Sequence, residues 1–578
     1  MPRRARLCSC PTRIRDYKIF LKIKVKFVIL PDISQASARN IVLEITKGHI
    51  DKASTYKILV FAPKFGISHM KFMAKVADTL VEAGHDVVVY SPNVKPHVQK
   101  ISTKAVAIDV DFGVSLDLSS AQRHVWSSNF SSYFELAKVV LKTNRDLIKA
   151  LYNADELHDW VRDQKFDIAV SEGMGCFDAL FYLLGIKKFI LTPSTNPPEL
   201  INEGLGIPNT PSFVPVNNKG FSVPMSYWDR AQNLFEYVVT SSLMRYMLLP
   251  EFNGYIDERF GKDVWSIQKQ IEQTSYIFVN NDEFIDFPRV LTRKWHYIGG
   301  LKRQQPKPLT PEWENIFMSA ERGVILISFG TMARSTEMGE LRRSAFVKAF
   351  QAFPDITFIW RYENTTDNFC NASNIILHDW LPQVDMLNHK RMLAFITHAG
   401  MGGVFESAYA GVPVITIPLF ADQLRNAHMM QHRGMGLIVD KDDITAERLI
   451  TAIKEILQPK YSEAAHHLSE QLQNKPFSPE DVLVRHIEHA IRFNVTASKV
   501  QVTTPMVVVL LAEIVEESME NALKQSMVYG KMMQQFASMN ISMTNVLFQM
   551  FVLPPRNIPH TKIHVLLRQH IMDDKLLL

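Results

Sequence analysis

Between Trp380 and Gln423 the chain spaces out side chains that together suit a flat, phosphorylated, hydroxyl-rich ligand. Trp380 offers an aromatic face, worth about 1–3 kcal/mol when a base stacks on it. Gln383 has an amide whose donor and acceptor can read a base edge. His398 stands where an apolar run ends. The segment Ala399-Gly400-Met401-Gly402-Gly403 then turns the chain into a helix start, where unpaired N–H groups and the helix dipole draw phosphate. Glu406 can accept the protons of a diol, Asp422 and Gln423 can bind ring hydroxyls, and Gly330-Thr331 makes another phosphate-side turn. Singly these residues are commonplace, since a lone Trp is usually core and a lone His usually structural. Their joint spacing is the signal.

Nothing in that stretch activates an attacking hydroxyl, which needs a base titrating near neutrality. His69 follows the first strand at a loop-to-helix junction, with Ser68 before it as N-cap. The position also fits a surface histidine at a helix start. A catalytic imidazole generally leans on a carboxylate. Glu172, at the end of the strand 166–171, faces the open end of a sheet, whereas Asp167 begins that strand.

The elements that must position these groups alternate. Strands are expected at 57–62, 86–90, 166–171 and 188–192, with helices at 69–83 and up to Leu184, and longer helical stretches at 131–160 and 227–248. Residues 299–312 combine Gly, Pro and charge as a linker does. A second series follows, with strands at 324–328, 356–361, 375–378, 393–397, 412–418 and 437–440, closed by helices at 445–457 and 479–492. The pattern predicts an α/β protein of two doubly wound, Rossmann-like domains facing a cleft. The expected division is an extension at 1–54, an acceptor-binding domain at 55–298, the linker at 299–312, a donor-binding domain at 313–495 and a tail at 496–578.

A chain of 578 residues exceeds one core. Its formal charge of +5 is misleading, because residues 1–26 hold nine Lys/Arg and one acid, leaving the rest at −3. A mildly acidic body argues against nucleic acid as partner. Four cysteines, Cys8, Cys10, Cys176 and Cys370, have no metal-site spacing beyond Cys-x-Cys and make a disulfide framework unexpected. Sequons at Asn129, Asn364, Asn371, Asn494 and Asn540 are compatible with a secretory route. Lysines interrupt the apolar residues 18–30, so no ordinary signal peptide is evident, and the apolar run 506–512 is far short of the roughly 20 residues that span a bilayer. The residues alone describe a soluble or peripheral protein. The loop PKFGISH after the first strand lacks G-x-G-x-x-G, which argues against a dinucleotide oxidoreductase.

The stretch 380–423 closely resembles the signature of the UDP-glycosyltransferases, in particular the animal UDP-glucuronosyltransferases, and the resemblance runs over about 56–495. It implies a GT-B fold, with Trp380 and Gln383 on uracil, His398 and the glycine turn of Gly400, Gly402 and Gly403 on the diphosphate, Glu406 on ribose, and Asp422 and Gln423 on the sugar. The segment SHMKFM is similar to the family's catalytic-histidine segment, which makes His69 the base and Glu172 its partner, where the family commonly has Asp. Ala399 and Gly402 depart from the usual Gly and Asn of animal members; the first is expected to be a small change, the second to lose a side-chain contact. The implied reaction is inverting transfer from UDP-glucuronate or UDP-glucose to a hydroxyl of a small lipophilic acceptor, as in xenobiotic or endobiotic conjugation. It requires no metal or cofactor, the UDP-sugar being a co-substrate. The alternative is a catalytically silent UDP-sugar-binding protein. Family members also carry a cleaved signal and a C-terminal membrane helix, neither recognisable here, so an endoplasmic-reticulum membrane location, membrane association and a homo-oligomer are expectations from the resemblance alone.

Overall fold

Continuous apolar runs such as Ile58–Val60 and Val324–Ile327 have no polar alternate residues, the mark of strands covered on both faces. In the computed structural model they form two parallel sheets. The structure describes residues 55–93, 101–114, 125–126, 130–173, 179–216, 220–366 and 372–493, all within one compact unit that begins at Thr55. The four cysteines, every sequon except Asn364, and the segments read as extension and tail lie outside these residues.

The first half runs β1 (Lys57–Phe61), α1 (Ile67–Glu82), β2 (Asp86–Asn93), β3 (Val106–Asp111), α2 (Phe130–Tyr152), α3 (Asp155–Gln164), β4 (Ile168–Ser171), α4 (Ala179–Leu183), β5 (Phe189–Leu191), α5 (Glu199–Gly204), α6 (Tyr227–Leu243), a π-helical turn (Met244–Leu248), α7 (Leu249–Phe260), α8 (Ile267–Gln273), β6 (Ile277–Val279) and β7 (Trp295–Tyr297). The second runs α9 (Pro311–Ser319), β8 (Gly323–Ser328), α10 (Glu340–Gln351), β9 (Ile356–Arg361), β10 (Ile375–His378), α11 (Gln383–Leu387), β11 (Met392–Thr397), α12 (Met401–Ala410), β12 (Val414–Thr416), α13 (Gln423–His432), β13 (Gly436–Ile438), α14 (Ala446–Ile456), α15 (Pro459–Gln473) and α16 (Pro479–Phe493).

The sheet orders are β3-β2-β1-β4-β5-β6-β7 and β10-β9-β8-β11-β12-β13. The two doubly wound α/β sheets expected from the sequence are therefore present. In each, the order reverses beside the first strand, between β1 and β4 and between β8 and β11. The crevice at the carboxyl ends of such a pair is where ligands bind in this architecture.

Several local expectations change. Helix α1 starts at Ile67 behind Gly66, so Ser68 lies inside the helix and is not its cap. The stretch 131–160 is two helices, and 227–248 continues through the π turn into α7. Strands β6 and β7, three residues each, are too short to show a period. Helix α16, read as closing the second series, packs on the first sheet. Its Leu483, Ile487, Ala490 and Ile491 join Ile58, Val60, Met73 and Phe278 in one buried cluster. Each fully buried aliphatic side chain there contributes about 1.5–3 kcal/mol.

The halves interlock. Residues 282–287, between β6 and β7, send Ile285 and Phe287 into the core of the second half. Asp286, 1% exposed, meets Arg425 of α13 at 2.8 Å and accepts from the Tyr297 hydroxyl of β7 at 2.9 Å. Trp126, from the first half's segment between β3 and α2, is buried against Phe329 of the second and donates from Nε1 to the Arg334 carbonyl. The linker leaves β7 through Gly299-Gly300, where a Cβ would sit 2.1 Å from Phe405 Cζ and 2.4 Å from the Tyr409 hydroxyl respectively. Only glycine lets the chain pass so close to α12.

Removing one partner of a buried ion pair strands the other charge. Arg425→Met should therefore lower stability by about 3–5 kcal/mol, with the loss of unfolding free energy read by denaturant titration, and Asp286→Asn in the same chain should recover part of it.

Candidate active site

The end of β1 leads through a tight loop into α1, which puts His69 in the first helical turn at the carboxyl edge of the sheet. Strand β4, hydrogen-bonded beside β1, ends at Ser171, so Glu172 emerges at the same edge. Nδ1 of His69 and Oε1 of Glu172 are 2.5 Å apart. Glu172 is 3% exposed and the His69 side chain 22%. Asp167, at the far end of the strand, instead accepts from the Lys57 backbone N–H.

Burial by itself pulls the His69 imidazole down, but the charge and hydrogen bond of Glu172, with the charge of Asp422, leave it raised above the ordinary value. Burial by itself would lift Glu172; His69 and hydrogen bonds from Ser194 reverse this and hold the carboxyl below its usual range. The pair is thus built as a carboxylate beside an imidazole of increased basicity.

Ser194 was not singled out by the sequence. It lies just beyond β5, the strand next to β4, its Oγ 2.8 Å from His69 Nδ1 and donating to Glu172 Oε1. The signal available was positional: a hydroxyl at the carboxyl edge one strand from the carboxylate.

The other expected residues collect at the carboxyl edge of the second sheet. His398 follows β11, and its ring lies between two turns. A Cβ on Gly330 would be 2.7 Å from His398 Cε1, and one on Gly400 would be 2.6 Å from Nε2. These two glycines make the slot for the imidazole. Burial and the charge of Arg361 push His398 down to about 4, so it is neutral at physiological pH. Helix α12 begins after Gly400, and its first internal bond from the amino end runs from Val404 N–H to the Gly400 carbonyl. The N–H groups of Met401, Gly402 and Gly403 consequently have no partner within the helix. A Cβ on Gly402 would meet nothing within 4 Å. Thr331 is exposed beside Gly330.

Ala399 is a larger departure than its size suggests. Its φ is +63°, a left-handed conformation costing an alanine about 1–2 kcal/mol. Asn426 Nδ2 holds the Ala399 carbonyl at 3.0 Å.

Trp380 is 59% exposed, with the Arg361 guanidinium 5.2 Å from its ring centre. Arg361 ends β9 and donates to the Gly330 carbonyl at 2.6 Å, tying the aromatic platform to the glycine turn. The sequence marked it only as the end of a strand. Gln383 and Glu406, expected on different parts of one ligand, meet directly: Gln383 Nε2 donates to Glu406 Oε2 at 2.5 Å. Glu406 lies in the second turn of α12, where the helix dipole does little for it. Burial raises its carboxyl, opposed by the Gln383 bond and by Lys75 and Lys71 of α1.

Asp422 precedes α13 and accepts from Asn426 Nδ2 at 2.7 Å. Burial pushes it up, while Asn426 and the facing His69 pull it down. The two halves thus bring Asp422 into electrostatic reach of His69. Gln423 is 3% exposed and its Oε1 accepts from Leu419 and Phe420 N–H at 2.9 and 3.1 Å. That leaves its amide nitrogen for a ligand and gives the oxygen a structural duty. Among the described residues no group of His, Cys, Asp and Glu is arranged to hold a metal.

This geometry has relatives. Human UDP-glucuronosyltransferase 1A3 is 30% identical over 453 residues, covering 76% of this chain and 83% of that protein. UDP-glucosyltransferase 2 of Dactylopius coccus is 28% identical over 442 residues, covering 75% and 84%. Among solved structures, a UDP-glucosyltransferase from Polygonum tinctorium superposes with a TM-score of 0.53 at 16% identity, covering 76% of this chain and 99% of that one, and the glycotransferase of kitacinnamycin gives 0.53 at 18%, covering 76% and 99%. These structures share the two-domain glycosyltransferase fold. Residues 56–503 match the family described as UDP-glucoronosyl and UDP-glucosyl transferase, and the chain belongs to that family of UDP-glycosyltransferases.

Proposed function

We propose that the protein transfers the sugar of UDP-glucuronate or UDP-glucose, with inversion, to a hydroxyl of a small lipophilic acceptor. The observation that carries this reading is the His69–Glu172 pair at the carboxyl edge of one sheet, within electrostatic reach of Asp422 at the carboxyl edge of the other. With Glu172 on Nδ1, the neutral ring keeps its proton there and turns Nε2 out as the base. Nε2 takes the acceptor proton as the oxygen attacks the anomeric carbon from the face opposite the leaving group. The C–O bond to UDP breaks, and Glu172 stabilises the imidazolium that forms.

The second half holds the donor in this reading. Trp380 stacks on uracil and Gln383 reads its edge. Glu406 takes the ribose diol. His398, Gly330, Thr331 and the N–H groups at Gly400, Gly402 and Gly403 receive the diphosphate. Asp422 and the Gln423 amide bind sugar hydroxyls. A neutral His398 donates one hydrogen bond to the leaving group without adding a charge. Both sugars remain in the proposal because the two named relatives above differ in their sugar.

Family membership supports an endoplasmic-reticulum membrane location and a homo-oligomer. Among the described residues no helix is long and apolar enough to cross a membrane. Carbonate extraction of the full chain tests the membrane assignment, which release into the supernatant would overturn.

The direct test incubates the protein with each UDP-sugar and a panel of phenols and weighs the products. His69→Ala should lower transfer by about 10²–10⁴-fold while leaving UDP binding intact; UDP-sugar binding without His69-dependent transfer would instead indicate the silent binding protein. Trp380→Ala should weaken UDP binding by about 1–3 kcal/mol, measured calorimetrically. The base must be neutral to work, and its pKa is raised, so kcat/KM should fall as pH drops through a value above the ordinary imidazole range. An acid limb at or below about 6.5 would contradict the pairing with Glu172.

A further inference from the structure

The hydroxyl of Ser194 is engaged with both members of the pair and with nothing else that its loop requires. Glu172 Oε1 accepts from His69 Nδ1 and from Ser194 Oγ. The Ser194 proton is thereby committed to the carboxylate, which leaves an oxygen lone pair facing His69 Nδ1–H at 2.8 Å. The three groups close a ring of contacts around one buried oxygen.

The loop does not depend on that hydroxyl. Asn280 Nδ2 donates to the Ser194 carbonyl at 2.9 Å, the Asn280 N–H donates to the Pro193 carbonyl at 3.0 Å, and the Thr192 N–H donates to the Ser171 carbonyl at 2.7 Å. The main chain is pinned from β4 and β6 without the side chain. Beside the Ser194 N–H, which also bonds the carboxylate, the side chain fixes a glutamate, one torsion longer than aspartate and therefore freer to swing away from the imidazole.

We propose that Ser194 is a positioning residue for the transfer reaction, holding Glu172 and the His69 ring in one geometry through its shared hydroxyl. This rests on the reading of His69 as the base. The charged groups facing His69 are Glu172 at the end of β4 and Asp422 at the start of α13. Without the hydroxyl Glu172 can swing from the ring and Nδ1–H loses a second acceptor, so the imidazolium is held less well and His69 titrates at lower pH, nearer its ordinary value.

The experiment compares Ser194→Ala, Ser194→Thr and Glu172→Gln, with the Ser194→Ala/Glu172→Gln double variant, in the full chain. Ser194→Ala should lower kcat by about tenfold to a hundredfold with the KM for UDP-sugar little changed. Its acid limb should move to lower pH, and Ser194→Thr, which restores the hydroxyl, should recover most of the rate. In the Glu172→Gln background Ser194→Ala should add little, as expected of residues acting as one unit. His69 titration followed by NMR needs no turnover and should show the same downward shift. An unchanged titration and kcat in Ser194→Ala, or an equal loss in both Glu172 backgrounds, would overturn the role of Ser194. Absence of sugar transfer by the unmodified protein, with the NMR shift present, would overturn the assignment of the reaction and leave the Ser194 contact standing.

Discussion

A carboxylate removed from water has to be paired, and the carboxyl edge of the first sheet meets that demand for Glu172. The penalty for burying such a charge is several kcal/mol even after relaxation. At 3% exposure Glu172 has almost no solvent to offset it. The compensation comes from the neighbouring strand ends: His69 after β1, and the hydroxyl of Ser194 after β5. The order β2-β1-β4-β5 is what allows three segments far apart in sequence to meet at one oxygen. A parallel sheet puts all its carboxyl ends on one edge, so a charge buried there can be satisfied by groups that each belong to a different crossover.

The same demand gives the second half its place. Asp422 acts on His69 from across the crevice, so the electrostatics of this imidazole depend on how the halves are held. They are held by insertion, not by surface contact. Asp286 reaches Arg425 at the start of α13, the helix that Asp422 precedes. Trp126 of the first half is buried beside Phe329, at the end of the strand that leads to Gly330. Structural pairs and donor-side turns are therefore continuous with each other.

Much of this was legible in the chain. Strands 356–361 and 375–378 fall where expected, the first marked by the buried Phe358–Trp360 and the second, at the sheet edge, by the half-buried apolar Ile375–Leu377. His69 and Glu172 were paired from residue type and strand end, and the structure brings them into contact; Gln383 and Glu406 were named separately, and their direct hydrogen bond was not foreseen. What could not be read depended on tertiary geometry. Ser194 is one of many serines until β5 is laid beside β4. The strain at Ala399 is a backbone angle, which composition does not reveal. Helix α16 has a regular apolar stripe that says it will be buried, but a stripe does not name the sheet it will cover. Gln423 shows a further gap: half of its amide is consumed by Leu419 and Phe420, and no spacing rule separates a ligand-binding glutamine from one that ties its own loop.

The docking of α16 on the first sheet means that the backbone passes between the halves twice, once through residues 299–310 and again through 474–478. Lys475 secures the second passage by pairing with Asp282 and Glu283 at 2.8 and 2.9 Å. A single tether would let one body swivel freely on the other. Two tethers restrict the halves to rotation about the line through them, and the buried Asp286–Arg425 and Trp126–Phe329 contacts oppose that rotation as well. The separation of His69 and Asp422 is therefore set from both sides of the crevice, by the packing between the halves and by the second crossing of the chain.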